Sequence, residues 1–114
     1  MDRKLDLRIL TPAQFDLERI ALLHSSYVGP ISARKITDAL YNAMEHLRRF
    51  PEMGFELPDA ELRSCGYRGL LEGHYLCVYR CIEKTIFIYH IADTRNDYPQ
   101  LWKTLQKSGN AETL

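Results

Sequence analysis

The chain has 114 residues, and its 15 lysines and arginines are matched by 15 aspartates and glutamates. That length supports one modest core and excludes two independent ones, while the cancelled charge excludes a general attraction to nucleic acid or an anionic membrane, so any phosphate binding must be local. No apolar run approaches a bilayer span, and Met1-Asp2-Arg3-Lys4 leads into an alternating segment without a signal-peptide core, which predicts a cytoplasmic protein with no membrane contact.

Leu5, Leu7 and Ile9 alternate with Asp6 and Arg8, the period of a strand with one buried face. Thr11-Pro12-Ala13-Gln14 then predicts a helix start, with Thr11 as N-cap, Pro12 at the first helical position and Gln14 closing a capping box. This first helix carries Phe15, Ile20, Leu22 and Leu23, and Gly29-Pro30 should end it. Beyond the break, Ile36, Ala39, Leu40, Ala43, Met44, Leu47 and Phe50 recur at three- and four-residue intervals, so a second helix presents an apolar stripe to a sheet until Pro51 stops it. Residues 52–61 combine turn formers with excess acid and read as a surface connection.

The second half predicts three strands in succession. The first opens at Leu62 or Tyr67 and runs to Leu71, Glu72-Gly73 turns the chain, and residues 74–82 form the next. There Tyr75, Cys77, Tyr79 and Cys81 line one face and Leu76, Val78 and Ile82 the other. Because both faces are apolar, this strand and its neighbour over 86–91 belong in the middle of the sheet. A polar loop through Arg95 leads to a short helix over 98–106 bearing Leu101, Trp102 and Leu105, and 108–114 should fray as a flexible tail of a single 1–114 domain.

Cys65, Cys77 and Cys81 form an odd set without zinc-like spacing. On one strand Cys77 and Cys81 would lie roughly 13 Å apart, too far for a disulfide, so reduced thiols are expected. His24, His46, His74 and His90 are scattered singly. No metal site and no cofactor follow from these positions.

The order of strand, two helices, three antiparallel strands and a final helix resembles the RelE/ParE superfamily of small bacterial toxins. Matching details are Phe50-Pro51-Glu52-Met53-Gly54 after the second helix, Tyr67-Arg68 opening a strand, the aromatic strand from Tyr75 to Tyr79, and Arg95 after the last strand. The resemblance implies an α+β fold in which two helices pack on an antiparallel sheet of about four strands. It also implies the toxin of a type II toxin-antitoxin (plasmid stabilisation) module, held inactive by a cognate antitoxin.

Two activities follow from that resemblance. A RelE-like member is an endoribonuclease that cleaves ribosome-bound mRNA, whereas a ParE-like member inhibits DNA gyrase; a third possibility is a noncatalytic member that only binds its antitoxin. Cleavage by a neighbouring 2'-hydroxyl needs a base, cationic donors for the phosphate and an acid for the leaving oxygen. Arg95 matches the arginine after the final strand and would stabilise the phosphorane, the alternative being a loop pairing with Asp93 or Asp97. Arg68 would serve a phosphate or brace the sheet. Tyr98, His74 and His90 are the acid-base candidates, a packed and hydrogen-bonded strand histidine being the commoner alternative for the latter two; Tyr75 and Tyr79 are the candidates to stack RNA bases beside Arg68, against the commoner place of such tyrosines in the core or a partner groove. Leu70 and Leu76 stand where such ribonucleases carry further cations. With the ribonuclease reading placed first, gyrase inhibition is its alternative.

Overall fold

In the computed structural model, which describes residues 4–95, β1 (Asp6–Ile9) leads into the helical hairpin α1 (Thr11–Tyr27) and α2 (Pro30–Leu47). Then follow β2 (Phe55–Glu56), the short α3 (Ala60–Ser64), β3 (Arg68–Glu72), β4 (Tyr75–Ile82) and β5 (Thr85–Asp93). The strands form one sheet in the order β1-β5-β4-β3-β2, antiparallel except for the parallel β1–β5 pair. The architecture is the expected α+β one, with five strands in place of about four. The extra strand is β2, two residues of the expected 52–61 connection that pair with Gly69 and Arg68. The anticipated helix at 98–106 and tail at 108–114 lie outside the described residues.

β1 alternates as predicted, with Asp6 and Arg8 exposed and Leu7 and Ile9 half-buried. The start of α1 differs from the expectation. Leu10 still donates its amide to Ile88 O at 3.0 Å, so it remains in extended conformation and becomes the N-cap itself. Thr11 is already helical, and no side chain caps the helix. Instead of closing a capping box, the Gln14 side-chain Nε2 donates to Ile9 O at 2.7 Å. At the other end Gly29, with φ 121°, directs the chain from α1 into Pro30, which opens α2.

The two helices cover one sheet face. α2 buries Ala33, Leu40, Ala43, Met44 and Leu47, while α1 contributes Ala13, Leu17 and Ile20. They meet Leu70, Cys77, Tyr79, Ile86, Ile88 and Ile91 in the larger core. Each fully buried leucine or methionine there is worth about 1.5–3 kcal/mol of transfer free energy. The opposite face packs Leu76, Val78, Tyr89 and Ala92 against Tyr67, Leu57 and Leu62. That division follows the period-2 alternation of β4. Phe15, Leu22 and Leu23 of α1 stay largely exposed, as does Phe50 beyond α2.

β4 and β5 occupy the interior of the sheet, as their double-sided apolarity predicts. Their register jumps from Val78↔His90 to Tyr79↔Ile88, a bulge that leaves Tyr89 as the extra residue of β5. The bulge explains how Ile88 and Ile91, three residues apart, reach the same core. Gly73, at φ 61°, and His74 form the two-residue turn between β3 and β4, so β4 begins one residue later than the sequence suggests.

Candidate functional site

Arg95 follows the last rung of β5, where Asp93 stands opposite Tyr75. Thr94 secures the turn by donating from its amide and its hydroxyl to His74 O, at 2.9 and 3.0 Å. Asp93 then accepts three bonds from Arg95. The amide and Nε donate to Oδ1 at 2.9 and 3.0 Å, and Nη2 donates to Oδ2 at 2.8 Å. The guanidinium bonds hold the Asp93 carboxyl below its usual value and raise that of Arg95. Burial, with Asp93 adding to it, pushes the Tyr75 hydroxyl up, so the phenol remains a donor at neutral pH.

This corner of the sheet forms one wall of a groove of about 430 Å³, closed on the other side by the end of α1. Ile20, Leu23, Tyr27 and Val28 supply apolar lining; Arg19, His24, Asp93 and Arg95 supply polar groups. Leu23, Tyr27 and Val28 are 51%, 85% and 63% exposed. His24 is fixed by a 2.9 Å bond between Nε2 and Ser32 Oγ, which also links α1 to α2.

Of the residues singled out in the sequence, Arg95 and Tyr75 meet in the groove, and His74 lies close enough for its charge to act on Asp93. Arg68 is elsewhere. It sits opposite Tyr79, four rungs from Tyr75, or roughly 13 Å along the strand. Its Nη2 donates to Gly54 O at 2.6 Å and Glu52 O at 3.2 Å, bracing the chain before β2. Tyr79 is fully buried, and its hydroxyl donates to Pro51 O at 2.7 Å while accepting from the Gly54 amide at 3.1 Å. Its ring therefore has no free face for an RNA base, which corrects the candidate stacking role and agrees with the alternative of a core tyrosine. His90 is held against α1, with Nδ1 3.2 Å from Asp16 Oδ2. Tyr98 lies outside the described residues.

Leu70 and Leu76, at the positions where cations would assist cleavage, are 9% and 0% exposed and pack on opposite faces of the sheet. Arg80 was legible only as an exception within an apolar strand. Its guanidinium donates to Tyr89 Oη at 2.8 and 3.0 Å and lies 4.8 Å from the Tyr67 ring centroid, so it ties β4 to β5 and to the chain entering β3. The contribution of α1 to the groove was not legible, although its surplus of apolar residues was the available signal. Among the described residues, no three histidine, cysteine or acidic side chains group to hold a metal, and no helix is long and apolar enough to cross a membrane.

Residues 7–98 match the family described as ParE toxin of type II toxin-antitoxin system, parDE. No curated protein matches significantly. Among solved structures, a chain of the chromosomal ParDE toxin-antitoxin system from P. aeruginosa superposes with a TM-score of 0.67 at 24% identity, covering 80% of this chain and 97% of that one. A chain of the toxin-antitoxin complex RelBE2 from Mycobacterium tuberculosis superposes with a TM-score of 0.58 at 20% identity, covering 79% and 91%. At those identities the superpositions speak for the fold.

Proposed function

The chain belongs to the ParE toxin family of type II toxin-antitoxin systems, and we propose that it arrests growth by binding a protein target, DNA gyrase, rather than by cutting RNA, with a cognate antitoxin as its inhibitor. The observation that carries this reading is the separation of the two arginines. A cleavage site needs convergent cations around one phosphate, yet Arg68 donates to backbone carbonyls near β2 whereas Arg95 lies beside Asp93 at the far end of β4 and β5. Leu70 and Leu76 add apolar packing where cations would be needed. A groove lined by both apolar and charged side chains suits a peptide or protein surface, and an acidic, amphipathic antitoxin segment is complementary to Arg19 and Arg95.

Cleavage of mRNA is the second reading, and one observation favours it: Arg95, Tyr75 and His74 gather at one end of the sheet and are residue types suited to acid-base chemistry. Pulse incorporation of labelled thymidine and methionine during induction of the chain, with Arg95→Ala alongside, separates the two. An early fall in thymidine incorporation, matched by loss of supercoiling by purified gyrase, is expected. An immediate fall in methionine incorporation with fragmented mRNA would overturn the gyrase assignment.

A further inference from the structure

Asp93 already treats Arg95 as an incoming carboxylate would. It takes Nε and Nη2 in a forked pair and sits on the rim of the groove, with the Arg95 side chain 58% exposed and that of Asp93 17% exposed. A pair whose cation is that open to solvent favours the closed arrangement by only a few-fold. The two residues are separated by Thr94 alone, so exchange of partners requires side-chain rotation and no strand disruption.

We propose that Asp93 is a built-in competitor for the Arg95 guanidinium, occupying its donor fork until a carboxylate from an acidic, leucine-bearing peptide segment in the groove takes its place. This inference rests on the reading that the groove receives an acidic antitoxin segment. The chemistry of that occupant follows from the lining: Ile20, Leu23, Tyr27 and Val28 call for apolar side chains, and the fork that Asp93 fills selects a carboxylate. Asp93 therefore lowers the affinity of every acidic ligand and filters out those that cannot also use the apolar side chains of the groove.

The test measures binding of a capped, fluorescent, amphipathic peptide of alternating leucine and glutamate pairs at low salt. Wild type, Asp93→Asn, Arg95→Ala and the double variant are compared by anisotropy. The Asp93→Asn change is not expected to disturb the turn, because the carboxamide oxygen it introduces still accepts from the Arg95 amide. Asp93→Asn is expected to bind about two- to fivefold more tightly than wild type, and the gain is expected to vanish when Arg95 is replaced by alanine. A gain that persists in the Arg95→Ala background would be a charge effect on the whole groove and would overturn the competitor role. Equal affinity of wild type and Asp93→Asn would also overturn it, leaving the groove as a docking site. Binding to neither protein would overturn the docking reading itself.

Discussion

The hydroxyl of Tyr79, at the centre of the sheet, donates to the carbonyl of Pro51 at 2.7 Å and so fixes the chain that leaves α2. The same oxygen accepts from the Gly54 amide at 3.1 Å. Gly54 is buried and so close to Tyr79 that an added Cβ would lie 2.7 Å from its hydroxyl oxygen. A short irregular segment thereby becomes part of the sheet framework, with β2 following at once.

Replacing Tyr79 by phenylalanine keeps the ring and removes both bonds. Two backbone groups near β2 then lose their partner, at a cost of about 1–3 kcal/mol. Urea unfolding should show a lower midpoint at unchanged slope. An unchanged midpoint would mean that solvent replaces the hydroxyl without penalty.

Asp16 ties α1 to the bulged end of β5 through a single oxygen, which accepts from the Ile91 amide at 2.9 Å and lies 3.2 Å from His90 Nδ1. Asp16→Ala should destabilise the protein by about 1–3 kcal/mol, and Asp16→Asn by less, because its amide oxygen still accepts from Ile91. Hydrogen exchange at the Ile91 amide is the local readout. Protection that survives in Asp16→Ala would show that this tie does not hold β5.

The cysteines should divide by burial. Burial, with a smaller contribution from Glu72, pushes the Cys77 thiol up to about 12, and it packs in the larger core. Cys65 and Cys81 are exposed, although partial burial also raises the Cys81 thiol. A thiol reagent at mildly alkaline pH should label Cys65 and Cys81 in the native protein and Cys77 only after unfolding. Rapid native labelling of Cys77 would contradict the packing of β4.

Asp93 should titrate below ordinary aspartates, chiefly because Arg95 donates hydrogen bonds to its charged form. A depressed folded-state value means that this contribution to stability is present above the unfolded value, near pH 4, and is lost as pH falls through the folded one. Carbon chemical shifts of the Asp93 carboxyl should give a low midpoint that moves up in Arg95→Ala. An unmoved midpoint would place the cause elsewhere.

Much of the scaffold is legible because it rests on periodicity. Leu40, Met44 and Leu47 announce the inward face of α2, and Cys77 and Tyr79 alternating with Leu76 and Val78 announce a strand covered on both sides. β2 is not legible, since two residues carry no period and their strand character comes from pairing with β3. In α1, Ala13, Leu17 and Ile20 face inward while the equally apolar Leu22 and Leu23 and the larger Phe15 remain outside, so apolar character alone does not single out the inward face. The pairing of Arg95 with Asp93 is local and was foreseeable as an alternative. The groove is not, because it joins β5 to α1 residues distant in the chain, and no spacing rule connects Tyr27 with Arg95.

The parallel ladder between β1 and β5 fixes an order of events during synthesis. Asp6 pairs with Thr85 and Ile9 with Ile88, so the first strand made must wait for the last described strand before it can join the sheet. The β3–β5 meander needs only short turns, whereas bringing β1 alongside β5 closes a loop containing both helices, with a correspondingly larger entropic cost. Emergence of β5 from the ribosome is thus the point at which the sheet can close, and a nascent chain stopped short of it has neither the ladder that holds β1 nor the Asp93–Arg95 rim of the groove. Nascent fragments are on that account expected to be harmless to the cell that makes them.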